Sequence, residues 1–319
     1  MSSIIIEGLS FALPLFIIAI GGIYSEGSGI TNLALEGLLG FGAFSGGLVV
    51  AFISPSFASD STTPMYIAMA AAMAGGTLYA MLHALLCIKM RANQVISGVV
   101  INLLSVSLTA FLTNQINTSV FGKPSNKFLL AVSPRIDLPL LSKIPLLGAV
   151  FRSVYPFQFI IVAVALLAWY VLYKTPYGMR LRACGDNPHA VDAAGGNVTR
   201  IRFSAVMVSG GLAGLGGMSF AYSISTNFSP SIYMGFGYLA IAALIFGNWK
   251  ILPTLMACLI FGFARSSGYV LINTLGLPSS FSDLVLTLPY VLTLVLLVFF
   301  SKTNQPPRAL GEIYDKGKR

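Results

Sequence analysis

Long apolar runs separated by short polar stretches set the pattern of this chain. The runs cover residues 4–23, 28–53, 65–88, 95–112, 157–173, 203–223, 236–246, 254–272 and 284–300. Most reach or approach the ~20 residues that a helix needs to cross a bilayer. They are continuous where strands would alternate, and an open sheet edge cannot be satisfied in lipid. The pattern predicts an all-α polytopic membrane protein of about nine transmembrane helices, within a range of eight to ten. The short run 236–246 leaves room for one re-entrant segment. Residues 1–303 form one transmembrane domain, and 304–319 form a polar cytoplasmic tail.

Charge adds orientation. Hydrophobic residues make up 56% of the chain and charged residues 9%, with a net charge of +9. Lys89 is the first basic residue, and with Arg91 it marks a cytoplasmic end of the third run. No Lys or Arg precedes the first run, which therefore lacks the basic start of a cleaved signal peptide. Counting Lys and Arg loop by loop places the N-terminus outside and the C-terminus in the cytoplasm. Residues 115–156 then form an external loop. Their Lys123, Lys127, Arg135, Lys143 and Arg152 are tolerated because long translocated loops obey the charge rule loosely. Within that loop, 138–151 is apolar but broken by Pro139, Pro145 and Gly148, and is expected along the outer interface.

The polar segment 174–203 carries readable helix signals. Asp186 or Asn187 can cap free N–H groups, Pro188 suits the first helical position, and Gly195–Gly196 supply a left-handed exit. A helix of about two turns, 188–194, is expected there, flanked by Arg180, Arg182, Arg200 and Arg202.

Polar residues inside the apolar runs are the next signal. Asn32 and Glu36, four apart, would share a helix face continued by Gly40, Ala43 and Gly47. Asn93, Gln94 and Asn102 are neutral donors and acceptors suited either to a polar solute or to cross-linking helices. Arg265 falls mid-span, where it must pair, with Glu36 for example, or line a route for a solute. Gly210, Gly214 and Gly217 share one face and predict close backbone packing.

Several chemistries are excluded. No phosphate-cradling G-x-x-x-x-G-K-[ST] motif occurs, so the chain does not bind ATP in the usual way. No catalytic triad, carboxylate pair or metal-ligand spacing is present, and the chain is not expected to be an enzyme. Cys87, Cys184 and Cys258 form no evident pair, and His83 and His189 are isolated. No basic run interleaved with aromatics suggests nucleic acid. A solute pathway remains.

The run SGITNLALEGLLGFGAF, the loop GMRLRACGDNPHAVDAAGGNV followed by SGGLAGLGG, and the ending PPRALGEIYDKGKR resemble bacterial ABC-transporter permeases of the ribose and branched-chain amino acid group. Within that group the chain is most similar to the nucleoside permeases. The resemblance implies a permease of an ATP-driven importer in the bacterial cytoplasmic membrane. Its partners would be ABC ATPase subunits, a second homologous permease and an extracytoplasmic binding protein. The chain itself would bind no cofactor, with ATP and Mg held by the ATPase. The resemblance also assigns Arg182, Gly185, Asp186, Asn187, Pro188, His189, Ala190, Ala194 and Gly195 to coupling with the ATPase, Gly185 and Gly195 standing at the bends of a coupling helix. Asn32, Glu36, Asn93, Gln94, Asn102 and Arg265 are the candidates for lining the substrate path. Riboflavin or ribose within the same class, and a stand-alone secondary transporter outside it, are the alternatives.

Overall fold

The computed structural model describes residues 2–58, 61–130, 134–137, 148–231, 233–276, 278, 281–300 and 304–317. Its elements in order are α1 (Ser2–Gly27), α2 (Leu35–Ile53), α3 (Thr63–Ala84), α4 (Gln94–Val120), β1 (Phe128–Leu129), α5 (Pro156–Lys174), α6 (Pro176–Asp186) and α7 (Pro188–Ala193). They continue with α8 (Val198–Phe220), β2 (Asn227–Phe228), α9 (Phe236–Phe246), α10 (Ile251–Leu275) and α11 (Phe281–Phe300). Among the described residues, α1 to α5, α8 and α10 are long and apolar enough to cross a membrane. The last helix has 20 residues. The chain is an all-α polytopic membrane protein, as its pattern predicted. Most of the interface segment 138–151 lies outside the described residues; its end, Gly148–Phe151, is a single 3₁₀ turn.

Glycines let α8 sit at the centre. A Cβ at Gly210 would strike the Gly76 carbonyl, one at Gly214 the Ala72 carbonyl, and one at Gly217 the Leu39 carbonyl. The expected glycine face is thus the face on which α8 meets α2 and α3. On α2 the expectation was off by a step. Gly42, against Gly214, and Gly46, against Met218 and the Ala68 carbonyl, make its close contacts with the core. Gly40 meets only Ser105 Oγ, at 3.5 Å, and Gly47 receives the Phe228 ring. Nor does Asn32 share a helix face with Glu36. α2 begins at Leu35, so Asn32 lies in the non-helical break 28–34 that joins α1 to α2.

α9 is a half-span. At 1.5 Å per residue, its 11 residues reach only about half of the ~30 Å hydrocarbon thickness. Its start packs Phe236 on Phe11 in the first half of α1, and the turn after it places Trp249 against Glu26 at the end of α1. It therefore begins inside the bundle and runs to the end where α6 and α7 lie. The free N–H groups of that buried start need an acceptor. Glu36 supplies it, accepting from Gly235 N at 2.5 Å and from Gly237 N at 2.6 Å. This corrects the pairing considered for Glu36 and Arg265. The carboxylate is taken by the dipole of α9, and Arg265 lies 4.4 Å from the centre of the Phe11 ring. At the opposite end, β1 and β2 pair antiparallel, Phe128 opposite Phe228, and their rings close over Phe44.

Two outcomes are expected. Gly214→Leu overpacks the junction of three helices and should cost about 1–3 kcal/mol, lowering the melting temperature of the purified protein. Gly40→Ala, with ordinary space around it, should not. Glu36→Ala strands two buried N–H groups and should cost about 1–3 kcal/mol. Glu36→Gln, keeping one acceptor oxygen, should lose less in the same melting assay.

Candidate coupling loop and polar lining

The polar loop contains two helices where its sequence predicted one. Thr175 opens α6, its hydroxyl accepting from Gly178 N at 3.3 Å, with Pro176 in the first turn. Asn187, not Asp186, caps α7, accepting from Ala190 N at 3.0 Å. Pro188 starts α7 and Ala194 follows it as C-cap. Gly195, at φ +79°, makes the left-handed exit. Gly185 is not at a bend. It lies within α6 and packs on the Gly27 carbonyl, where a side chain would not fit.

α7 buries Pro188 and Val191 and exposes His189, Ala190, Ala193, Ala194 and Gly195. The exposed side is therefore small and smooth. Grooves of about 680 and 900 Å³ flank it, the first lined by Arg180, Asp186 and Ala190, the second by Arg182, Asn187 and Arg308. Arg182 stacks 5.3 Å from the Tyr173 ring centre, which holds its charge beside α7. Burial pushes the Cys184 thiol up to about 11, so it stays protonated at neutral pH and is not a reactive thiol.

The polar tail is strapped across this end of the molecule. Gln305 N donates to Asn248 Oδ1 at 2.8 Å, Ala309 N to Gly185 O at 2.8 Å, and Gly311 N to Gly29 O at 3.0 Å. Arg202, read from sequence as one of the loop's basic residues, is 2% exposed. Its Nε donates to Ser28 O and its Nη1 to Glu312 O, both at 3.0 Å. Arg91–Asp315 and Lys316–Asp192 add exposed ion pairs at 3.1 and 3.7 Å. Exposed pairs contribute little, so the backbone bonds and Arg202 hold the strap. One segment thereby touches α6, α7, α8 and the 28–34 break.

The polar candidates fall into two groups. Asn32, Gln94 and Asn102 gather around the break. Asn32 Nδ2 donates to Ser209 Oγ at 2.8 Å, and Gln94 Oε1 accepts from Thr31 N at 2.7 Å. Asn102 accepts from Gly37 N at 2.7 Å and donates to Leu33 O at 2.8 Å and to the Tyr238 hydroxyl at 3.0 Å. Glu36 stands beside them. Asn93 is apart and exposed, capping α4 through Val95 N and Ile96 N, and Arg265 is apart on α10.

Two participants escaped the sequence reading. Tyr238, the partner of Asn102, is 46% exposed although α9 starts inside the bundle. An aromatic within an apolar run gives no polar signal. Glu26, 3% exposed, accepts from Trp249 Nε1 at 2.6 Å. It stands beyond the first expected run and went unread, though the Gly27–Ser28–Gly29 break beside it was a clue. Among the described residues, no group of three His, Cys, Asp or Glu side chains could hold a metal ion.

Comparison with known proteins bears on the family. No solved structure matches the chain. The guanosine ABC transporter permease protein NupQ of Bacillus subtilis is 38% identical, over 100% of this chain and 98% of its own. The nucleoside ABC transporter permease protein NupC of Lactococcus lactis is 37% identical, over 99% and 97%. The putative glucose ABC transporter permease protein TsgC13 of Haloferax volcanii is 31% identical, over 79% and 72%. The model of the branched-chain amino acid transport system permease component matches residues 4–300. The chain therefore belongs to that family and is a multi-pass transport permease, not an enzyme.

Proposed function

We propose that this chain is one permease subunit of an ATP-driven importer of nucleosides. The observation that carries this is α7, a short capped helix with a small, exposed face held between two grooves. It is joined to full-length likeness with permeases named for guanosine and nucleosides. The partners are ABC ATPase subunits, a second homologous permease and an extracytoplasmic binding protein. ATP and Mg belong to the ATPase; this chain holds neither. The end carrying α6, α7 and the strap faces the cytoplasm, and the N-terminus faces outward. Supporting this orientation, Lys89, Arg91, Arg180, Arg182, Arg200 and Lys250 lie at that end.

α7 seats in the ATPase, and closure of the ATPases on ATP pushes it. Its caps at Asn187 and Gly195 keep it rigid enough to transmit the push. α6 carries the movement to Gly27 through Gly185, and the strap carries it to Ser28 and Gly29 through Arg202 and Gly311. Both routes end at the 28–34 break, beside Asn32, Gln94 and Asn102. Glu36 and Tyr238 complete that polar lining, and specificity resides mainly in the binding protein.

ATP hydrolysis by the assembled complex in lipid, with its binding protein, tests the substrate. Guanosine and other nucleosides should stimulate it, while riboflavin, ribose and glucose should not. Uptake by this chain alone, with no ATPase, would sink the proposal. Gly195→Pro tests the coupling helix. Proline locks φ near −65° where +79° is needed and removes the N–H that bonds Asp192 O. Uptake should fall at least about tenfold, in line with the ~1–3 kcal/mol that a backbone forced out of its allowed φ costs, with protein level and basal hydrolysis retained.

A further inference from the structure

A cavity of about 430 Å³ lies between α1, α10 and the turn leaving α8, and nothing in the coupling scheme uses it. Its wall includes Glu7 and Phe11 of α1, Ser223 of the turn, and Arg265, Ser266 and Tyr269 of α10. Arg265 is the unusual member. It sits inside a membrane-spanning helix, hydrogen-bonded to Tyr269 and attracted by Glu7, and no described carboxylate comes within ion-pair distance of it. Such a charge is costly unless a partner or ligand meets it. Aromatic rings surround it, with centres at 4.4 Å for Phe11, 5.5 Å for Tyr269 and 5.8 Å for Phe236. Two polar atoms of the same wall, Arg265 Nε and Ser223 Oγ, are buried without a hydrogen-bond partner. Buried polar groups in folded proteins are nearly always satisfied, so unpaired ones beside a cavity point to a ligand or to ordered water.

The wall also defines what it would take. A guanidinium is a planar fork of donors that suits two adjacent acceptors. The rings suit a flat π-system. Glu7, tied at 2.8 Å through Oε1 to Arg135, brings its other oxygen as an acceptor suited to hydroxyls. A free sugar would leave the rings unused. A planar base with two neighbouring acceptors and a hydroxylated sugar uses every feature, in a volume within the usual range for small-molecule sites.

We infer that this cavity is a subsite of the solute path for 6-oxopurine nucleosides, with Arg265 donating to the O6 and N7 edge of the base. The inference rests on the nucleoside reading above. Its test is uptake of guanosine, inosine, adenosine and uridine by the complete complex in liposomes, comparing wild type with Arg265→Gln, Arg265→Lys and Ser223→Ala. Adenine offers a donor where guanine offers O6, and uracil lacks N7.

In Arg265→Gln, guanosine and inosine uptake should fall about tenfold relative to adenosine and uridine, the discrimination a bidentate contact gives, with those two changing less than about twofold. Arg265→Lys should lose part of the preference, and Ser223→Ala should weaken uptake without altering it. Ratios within one preparation are insensitive to partial misfolding. If wild type carries no nucleoside, the nucleoside reading fails and the subsite falls with it. If wild type carries them and Arg265→Gln leaves the ratios unchanged, or lowers all four alike, only the subsite is overturned.

Discussion

A helix that starts inside a bilayer leaves backbone N–H groups where no water can reach them, and the bond between Glu36 and α9 answers that constraint. The two partners are 199 and 201 residues apart in sequence. Meeting them requires α2 to begin where it does, which in turn requires the break 28–34 to turn the chain back from α1. Asn102 supports the same point by accepting from Gly37 N, just after the Leu35–Glu36 start, and donating to Leu33 O, two residues before it. α9 then has a fixed upper end, and its lower end is tied by Trp249 to Glu26. Two carboxylates that look misplaced in apolar surroundings thus define both ends of one half-helix.

The break and the coupling loop are mechanically one unit. Gly29 gives its carbonyl to the strap, Ser28 gives its carbonyl to Arg202, and Gly27 receives Gly185 of α6 in direct backbone contact. These contacts use main-chain atoms, which cannot swing away as long side chains do. The backbone links from α6 and from the strap thus converge on residues 27–29. Beside them stand the polar side chains that cross-link α1, α2, α4 and α8. The glycine face of α8 provides the fixed reference, since its contacts with Gly76, Ala72 and Leu39 are also backbone to backbone.

What could be read from sequence was local. Run length gave the spans, and cap chemistry gave α7 almost to the residue, leaving open only Asp186 against Asn187, because both side chains can cap. The glycine face of α8 was readable because period and residue size suffice to define it. What could not be read depended on distant partners. α6 was hidden by Gly178 and Gly185, which weaken a helix in isolation but here pack against the Leu172 and Gly27 carbonyls. Arg202 reads as a surface cation because nothing near it in sequence announces the carbonyls of Ser28 and Glu312. Asn32 looked helical because spacing of four suggests a shared face, while the left-handed turn at Gly29, φ +96°, shows only in the folded chain.

The cap on α9 also bears on what the path can carry. A bare helix N-terminus in low dielectric attracts anions through its free N–H groups and dipole. With Glu36 seated there, that attraction is spent within the protein, and a negative solute approaching the same point meets a carboxylate. The surface beside it is Tyr238, whose hydroxyl is held by Asn102 and which offers an aromatic face and a neutral hydrogen-bonding group together. Such a surface favours neutral solutes with π-faces over phosphorylated ones. It is thus physically consistent with nucleosides crossing where nucleotides would not.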